Sequence, residues 1–170
     1  MPGVGTMLKV ECFESVKDAS EWHEQWRELA SGNPFLSPLW LSTVADCFGE
    51  KNVRIFLAVE DDKELLGVLP LRIRDSGKML VDMDDKHSDY GGPLIAEVAE
   101  ADRVAHALIE QAFRTCRLAR MRLRNLRNGF APTVALLAGC RGFVLELKQQ
   151  AQSFHIDLTN NFDTTYAKLR

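Results

Sequence analysis

The chain has 170 residues, 46% hydrophobic and 26% charged, with a formal net charge of −3 and a pI of about 5.8. That size and balance suit one soluble domain with an ordinary core. The slightly acidic charge excludes a global pull toward nucleic acid or anionic membrane. No apolar run approaches the ~20 residues of a membrane span, and residues 1–7 lack the basic-then-apolar pattern of a secretory leader. Cytoplasmic placement is the expectation.

Residues 8–13 read as a strand. Ser15 can cap a following helix, with Asp18 three residues on. Trp22, Trp26 and Leu29 recur at helical spacing up to Gly32, which marks them as core anchors. Asn33-Pro34-Phe35-Leu36-Ser37-Pro38-Leu39-Trp40-Leu41 follows. Its Ser37-Pro38 pair predicts a helix start, a capping hydroxyl before proline in the first turn. That helix passes Val44 and Cys47 and stops at Gly49.

Residues 53–60 alternate as a strand, with Ile55, Leu57 and Val59 on one face. A turn at 61–64 leads into a second strand over 65–74, interrupted by Gly67 and Pro70, which predict a bulge or an edge. Residues 78–83 make the third strand of an antiparallel meander. Residues 97–118 form the strongest helix, with Val104, Leu108, Ile109, Ala112 and Cys116 on its apolar stripe. A strand over 120–126, a short helix over 131–140, strands over 143–147 and 153–158 and the start of a last helix complete the order. The predicted class is α+β, a mixed central sheet flanked by helices. The expected organisation is a domain over 1–158, with 159–170 opening a further helix or a second domain.

Cys12, Cys47, Cys116 and Cys140 are far apart and show no metal-ligand spacing, so they are read as reduced, buried, small apolar side chains without a metal. Neither a P-loop, nor a dinucleotide fingerprint, nor a nucleophile elbow is present. His23, His106 and His155 read as satisfied structural histidines. The densest polar cluster is Lys86-His87-Ser88-Asp89-Tyr90-Gly91-Gly92-Pro93, a break between two strand-like runs, where binding and catalytic groups are commonly placed. The alternative is a structural turn capped by Asp89. Arg120, Arg122 and Arg124 alternate and would share one strand face. They could hold phosphates of a cofactor, or form a cross-strand charge ladder with Asp82 and Asp84.

Three segments resemble, in order and spacing, the CelD/BcsL-type acetyltransferases, relatives of the GNAT acyltransferases and the FemAB aminoacyltransferases. They are Asn33 to Leu41, the hairpin Phe56-Leu57-Ala58-Val59-Glu60 with Leu65-Leu66-Gly67-Val68-Leu69-Pro70-Leu71, and Ser88-Asp89-Tyr90-Gly91-Gly92-Pro93-Leu94. The resemblance implies a GNAT-like fold, a second GNAT-like domain in the same chain, and acyl transfer from acetyl-CoA or another acyl-CoA to an amine or hydroxyl on a glycan or its precursor. It implies no metal. Asp89, Tyr90 and His87 are the implied catalytic groups. Ser88, Gly91, Phe35 and Trp40 would line or wall the acceptor side, and Arg120, Arg122 and Arg124 are the candidate cofactor contacts. The GNAT pyrophosphate loop is absent from these residues, so the donor is expected to be held mainly outside them. A non-catalytic module for a glycan or partner protein is the alternative. Aminoacyl transfer from charged tRNA is disfavoured by the acidic balance.

Overall fold

The computed structural model describes residues 7–48, 52–74, 79–83, 91–96, 101–118 and 120–123. The chain runs β1 (Leu8–Phe13), a 3-10 turn (Ser20–Trp22), α1 (His23–Leu29), a second 3-10 turn (Pro34–Leu36) and α2 (Pro38–Phe48). Then come β2 (Val53–Glu60), β3 (Glu64–Arg74), β4 (Met79–Asp82), β5 (Leu94–Ile95), α3 (Ala101–Cys116) and β6 (Met121–Arg122). The sheet order is β1-β2-β3-β4-β6, with β5 also paired to β3. All pairings are antiparallel except β4 with β6, so the sheet is mixed, as the α+β reading requires. The elements expected beyond residue 123 lie outside the described residues.

Strand alternation gives the sheet two faces. One carries Val53, Ile55, Leu57, Val59 and Val68 against Trp26, Leu41 and Ala45 of α1 and α2. The other carries Phe56, Ala58, Leu69, Leu71 and Leu80 against Val104, Leu108 and Ala112 of α3. Gly67 faces α3, where an added Cβ would lie 2.8 Å from the Val104 side chain and 3.0 Å from Leu108. Glycine therefore lets the helix seat directly on the sheet.

Ser15 Oγ accepts the Asp18 N–H, as the capping pattern predicts, yet no helix follows. Val16 and Ala19 are buried and pin a turn instead. The helix begins at His23, whose Nε2 lies 2.8 Å from the Val16 carbonyl oxygen. Ser37 does cap α2, its Oγ accepting the Trp40 N–H and donating to the Pro34 carbonyl. Gly67 and Pro70 mark a bulge, as expected: Leu66 is the extra residue between the Ala58–Gly67 and Val59–Leu65 pairs. They do not mark an edge, since β3 is central. The Pro70 carbonyl accepts the Met83 N–H at 3.2 Å, so the ring nitrogen faces the same flank, where β4 has ended and β5 has not begun. The missing donor therefore breaks no ladder bond.

Cys12, Cys47 and Cys116 are free thiols, but Cys47 is exposed on α2 and the other two are half-buried. The expectation of uniformly buried cysteines fails because Cys47 falls on the solvent side of its helix. His106 Nε2 is buried without a hydrogen-bond partner, so it is not the satisfied histidine that was expected.

Candidate functional site

β4 and β5 lie end to end along one flank of β3, pairing with residues 71–74 and 67–68. The polar segment lies between Met83, whose N–H donates to the Pro70 carbonyl, and Gly91. Its return is fixed by Asp82, only 5% exposed, whose Oδ1 accepts the Gly92 N–H at 2.7 Å. Gly92 has φ of 84°, a left-handed conformation that favours glycine. His87, Ser88, Asp89 and Tyr90 lie outside the described residues, as do Asp84 and Arg124. Gly91 stands half-buried next to the anchored Gly92.

A cleft of about 520 Å³ opens between α1 with its following turn and the start of β3 with β5. Its walls include Gln25, Glu28, Asn33, Glu64, Leu65, Leu94 and Ala96. Gln25 clamps one side: its Nε2 donates to the Lys63 carbonyl at 3.1 Å and its Oε1 accepts the Leu65 N–H at 2.8 Å. Trp26 fixes the turn from below, its Nε1–H donating to the Leu36 carbonyl at 2.8 Å. Asn33 is held by its backbone, N–H to the Ala30 carbonyl and carbonyl to the Leu36 N–H. Its side chain is 4% exposed and Oδ1 has no hydrogen-bond partner.

Each of the three motif segments sends a residue to this cleft: Asn33, Leu65 and Leu94. Sequence reasoning quoted them but gave them no role, and it missed Gln25, Glu28 and Glu64, which carry no local signal. Phe35 and Trp40 are not among the cleft-lining residues. They stack edge to face, 5.3 Å between ring centres, behind the start of α2, and Trp40 packs on the core.

The arginine stripe sits elsewhere. β6 pairs with β4 through Leu80–Met121 and Val81–Arg122. Arg122 thus shares the face of Val81 and, across β3, of Arg72, whereas Asp82 shares the opposite face with Leu71. The two strands are neighbours, but the register separates Asp82 from Arg122, so the expected charge ladder does not form between them. Arg72 stands roughly 23 Å from Leu65 along β3, at ~3.3 Å per residue. Neither Arg72 nor Arg122 is among the residues that line the cleft.

The start of α3 is a poor phosphate cradle. Its first turn carries Asp102, and Glu97 and Glu100 precede it in sequence. Arg103, the nearby cation, reaches Glu60 at 3.7 Å. Asp102 in the first turn complements the positive end of the helix dipole and disfavours a pyrophosphate there. Among the described residues no group of three or more His, Cys, Asp or Glu could hold a metal ion, and no helix is long and apolar enough to cross a membrane.

No protein-family model matches the chain, and no curated protein sequence matches it. Solved structures do. An aminoglycoside N-acetyltransferase, AAC(6')-Iy, in complex with CoA superposes with a TM-score of 0.52 at 14% identity, over 91% of this chain and 98% of that one. An aminoglycoside acetyltransferase from an uncultured soil metagenomic sample, in complex with sisomicin, gives 0.53 at 12% identity over 89% and 97%. A ribosomal-protein-alanine N-acetyltransferase from Brucella melitensis gives 0.51 at 11% identity over 88% and 100%. The mixed sheet with α1 and α2 on one face and α3 on the other is the α+β fold of the GNAT acetyltransferases.

Proposed function

We propose that this chain is a GNAT-like acyltransferase domain that moves an acyl group from an acyl-CoA thioester to an amine or hydroxyl. The observation that supports it most is the convergence of Asn33, Leu65 and Leu94, one from each motif segment, on a single cleft of a GNAT-like fold. In the reaction the acyl–sulfur bond breaks, an acyl–nitrogen or acyl–oxygen bond forms, and the acceptor's proton ends on the CoA thiol. Asp89 orients or deprotonates the acceptor, Tyr90 donates to the oxyanion or stacks on a sugar, and His87 and Ser88 support them. One fold relative, the aminoglycoside acetyltransferase from a soil metagenomic sample, is seen in complex with sisomicin in one structure and with trehalose in another. That favours a small polar or glycan-borne acceptor, with a cell-surface polysaccharide or its precursor as the class the motif resemblance implies. The acidic start of α3 argues that the donor is held by other groups, Arg120, Arg122 and Arg124 or a second GNAT-like domain.

The same acidic helix start favours a second reading, a non-catalytic module that binds a glycan or a partner protein. Acetyl-CoA turnover with a panel of amines and sugars separates the two. Acceptor-dependent release of CoA thiol, lost in Asp89→Ala or Tyr90→Phe with folding retained, supports the enzyme. Wild-type rates in both variants would sink the assignment of those residues.

A further inference from the structure

We infer that β1 is a self-association edge: a second copy of this chain pairs with it antiparallel, about a two-fold axis at Val10, and joins the two sheets into one. This surface is separate from the cleft and independent of the transferase reading.

β1 ends the described sheet, with β2 on one flank and no strand on the other among the described residues. None of its six residues is fully buried, whereas β2 beside it is buried from Ile55 to Val59. The register shows which backbone groups this edge offers. The Asp61 N–H donates to the Met7 carbonyl at 3.1 Å, one step beyond the pairing of Leu8 with Glu60. Hydrogen-bonded and non-hydrogen-bonded pairs alternate along an antiparallel ladder. Lys9, Glu11 and Phe13 therefore turn their N–H and C=O groups to β2, and Leu8, Val10 and Cys12 turn theirs outward. Such a row is a template for another strand unless something blunts it.

Lysine on an edge is a common blunting device. Here Lys9 comes with a counter-charge two residues on, Glu11 on the same face, its Oε1 2.7 Å from the ammonium. That spacing selects one register for a second copy. With Val10 opposite its own counterpart, Leu8 meets Cys12 and the outward groups find mates. Lys9 of each copy then stands opposite Glu11 of the other, at non-hydrogen-bonded pairs where side chains come closest. Met7 falls opposite Phe13. Met7 is 62% exposed, an unusual state for a large apolar side chain in this molecule, and Phe13 is a half-buried ring at the margin of the core. A thioether against an aromatic ring is a favourable contact. Moving the axis to Lys9 or to Glu11 would keep the outward groups paired but set lysine on lysine or glutamate on glutamate. Charge therefore rejects both neighbouring registers.

A single strand pair buries little surface, so the dimer is weak and forms with concentration. Main-chain bonds supply its affinity and side chains its register.

The test is sedimentation of the full chain across the micromolar range, with melting temperature as the folding control. A reversible monomer–dimer equilibrium is expected. Val10→Pro removes an outward donor and no β1–β2 bond, so it should abolish the dimer in a folded chain. Lys9→Glu and Glu11→Lys each set like charges opposite each other and should weaken dimerisation about tenfold or more. Loss of the exposed Lys9 pairs with Glu11 and Asp62 should leave the fold intact. Mixed in equal amounts, the two charge variants should recover the dimer as a heterodimer, because opposite charges then face each other at both crossings. A monomer at every concentration would overturn the proposal. So would a dimer unchanged by Val10→Pro, which would place the contact on another surface. Charge variants that dimerise as the natural chain does, or that fail to recover on mixing, would overturn it too.

Discussion

Gly67 shows how one residue sets the packing of a whole face. Where backbone freedom alone matters, Gly→Ala stabilises by about 0.4–1 kcal/mol. At Gly67 the new methyl would meet Val104 at 2.8 Å and Leu108 at 3.0 Å, with the Leu94 carbonyl at 3.3 Å. Gly67→Ala should therefore destabilise, by about 1–3 kcal/mol in denaturant titration. Trp26→Phe keeps most of the buried ring but strands the Leu36 carbonyl, a loss of about 1–3 kcal/mol. Its effect should extend to the cleft, because the turn bearing Asn33 hangs on that bond. Asp82→Ala should release the Gly92 end of the polar segment, seen as faster amide exchange at Gly92.

Cys12 gives a pH dependence. Burial, then the neighbouring Cys116 thiol, push its pKa from 9.0 up to about 11, and Arg54 only partly opposes them. Below 9.0 the thiol is protonated in both folded and unfolded chains. Between 9.0 and about 11 the folded state holds more protons than the unfolded, so stability falls as pH rises through that window. Stability curves across it should be shallower in Cys12→Ala than in the natural chain. The exposed Cys47 should react with a thiol reagent well before Cys12.

At the scale of elements, local patterns were legible where one face is buried and the chemistry is short-range. The β2–β3 hairpin, the Ser37-Pro38 helix start and the α3 stripe all appear where periodicity and capping put them. The Ser15 cap was read correctly, but the helix it announced gave way to tertiary burial of Val16 and Ala19. Pro70 reads as an edge signal, yet an interruption on one flank serves it equally well inside a sheet. Within the expected arginine–aspartate ladder, register puts Asp82 and Arg122 on opposite faces, because a one-residue offset moves a side chain to the other face, while Asp84 and Arg124 lie outside the described residues. The acidic start of α3 carries its own prediction. Acetyl-CoA should bind this chain no tighter than ~100 μM, about −5.5 kcal/mol, and tighter binding would show that the basic row or another surface holds the donor.

For the molecule as a whole, the class and the meander follow from hydrophobic alternation, and the GNAT-like fold is shared with acetyltransferases at 11–14% identity. The cleft was not legible in the same way. Asn33 differs from any Asn-Pro turn only in being buried without a partner, and Glu28 and Glu64 look like ordinary surface charges until the fold brings them together. The three segments of the motif resemblance each supply one residue to the cleft, Asn33, Leu65 and Leu94, and Phe35 and Trp40 are not among its lining residues.

The most direct measurement is the release of free CoA thiol when the full chain meets acetyl-CoA with and without an amine acceptor. The account predicts release that depends on the acceptor and a product that carries the acetyl group. Intact acetyl-CoA with every amine and hydroxyl acceptor, in a folded protein, would contradict it and leave a binding module.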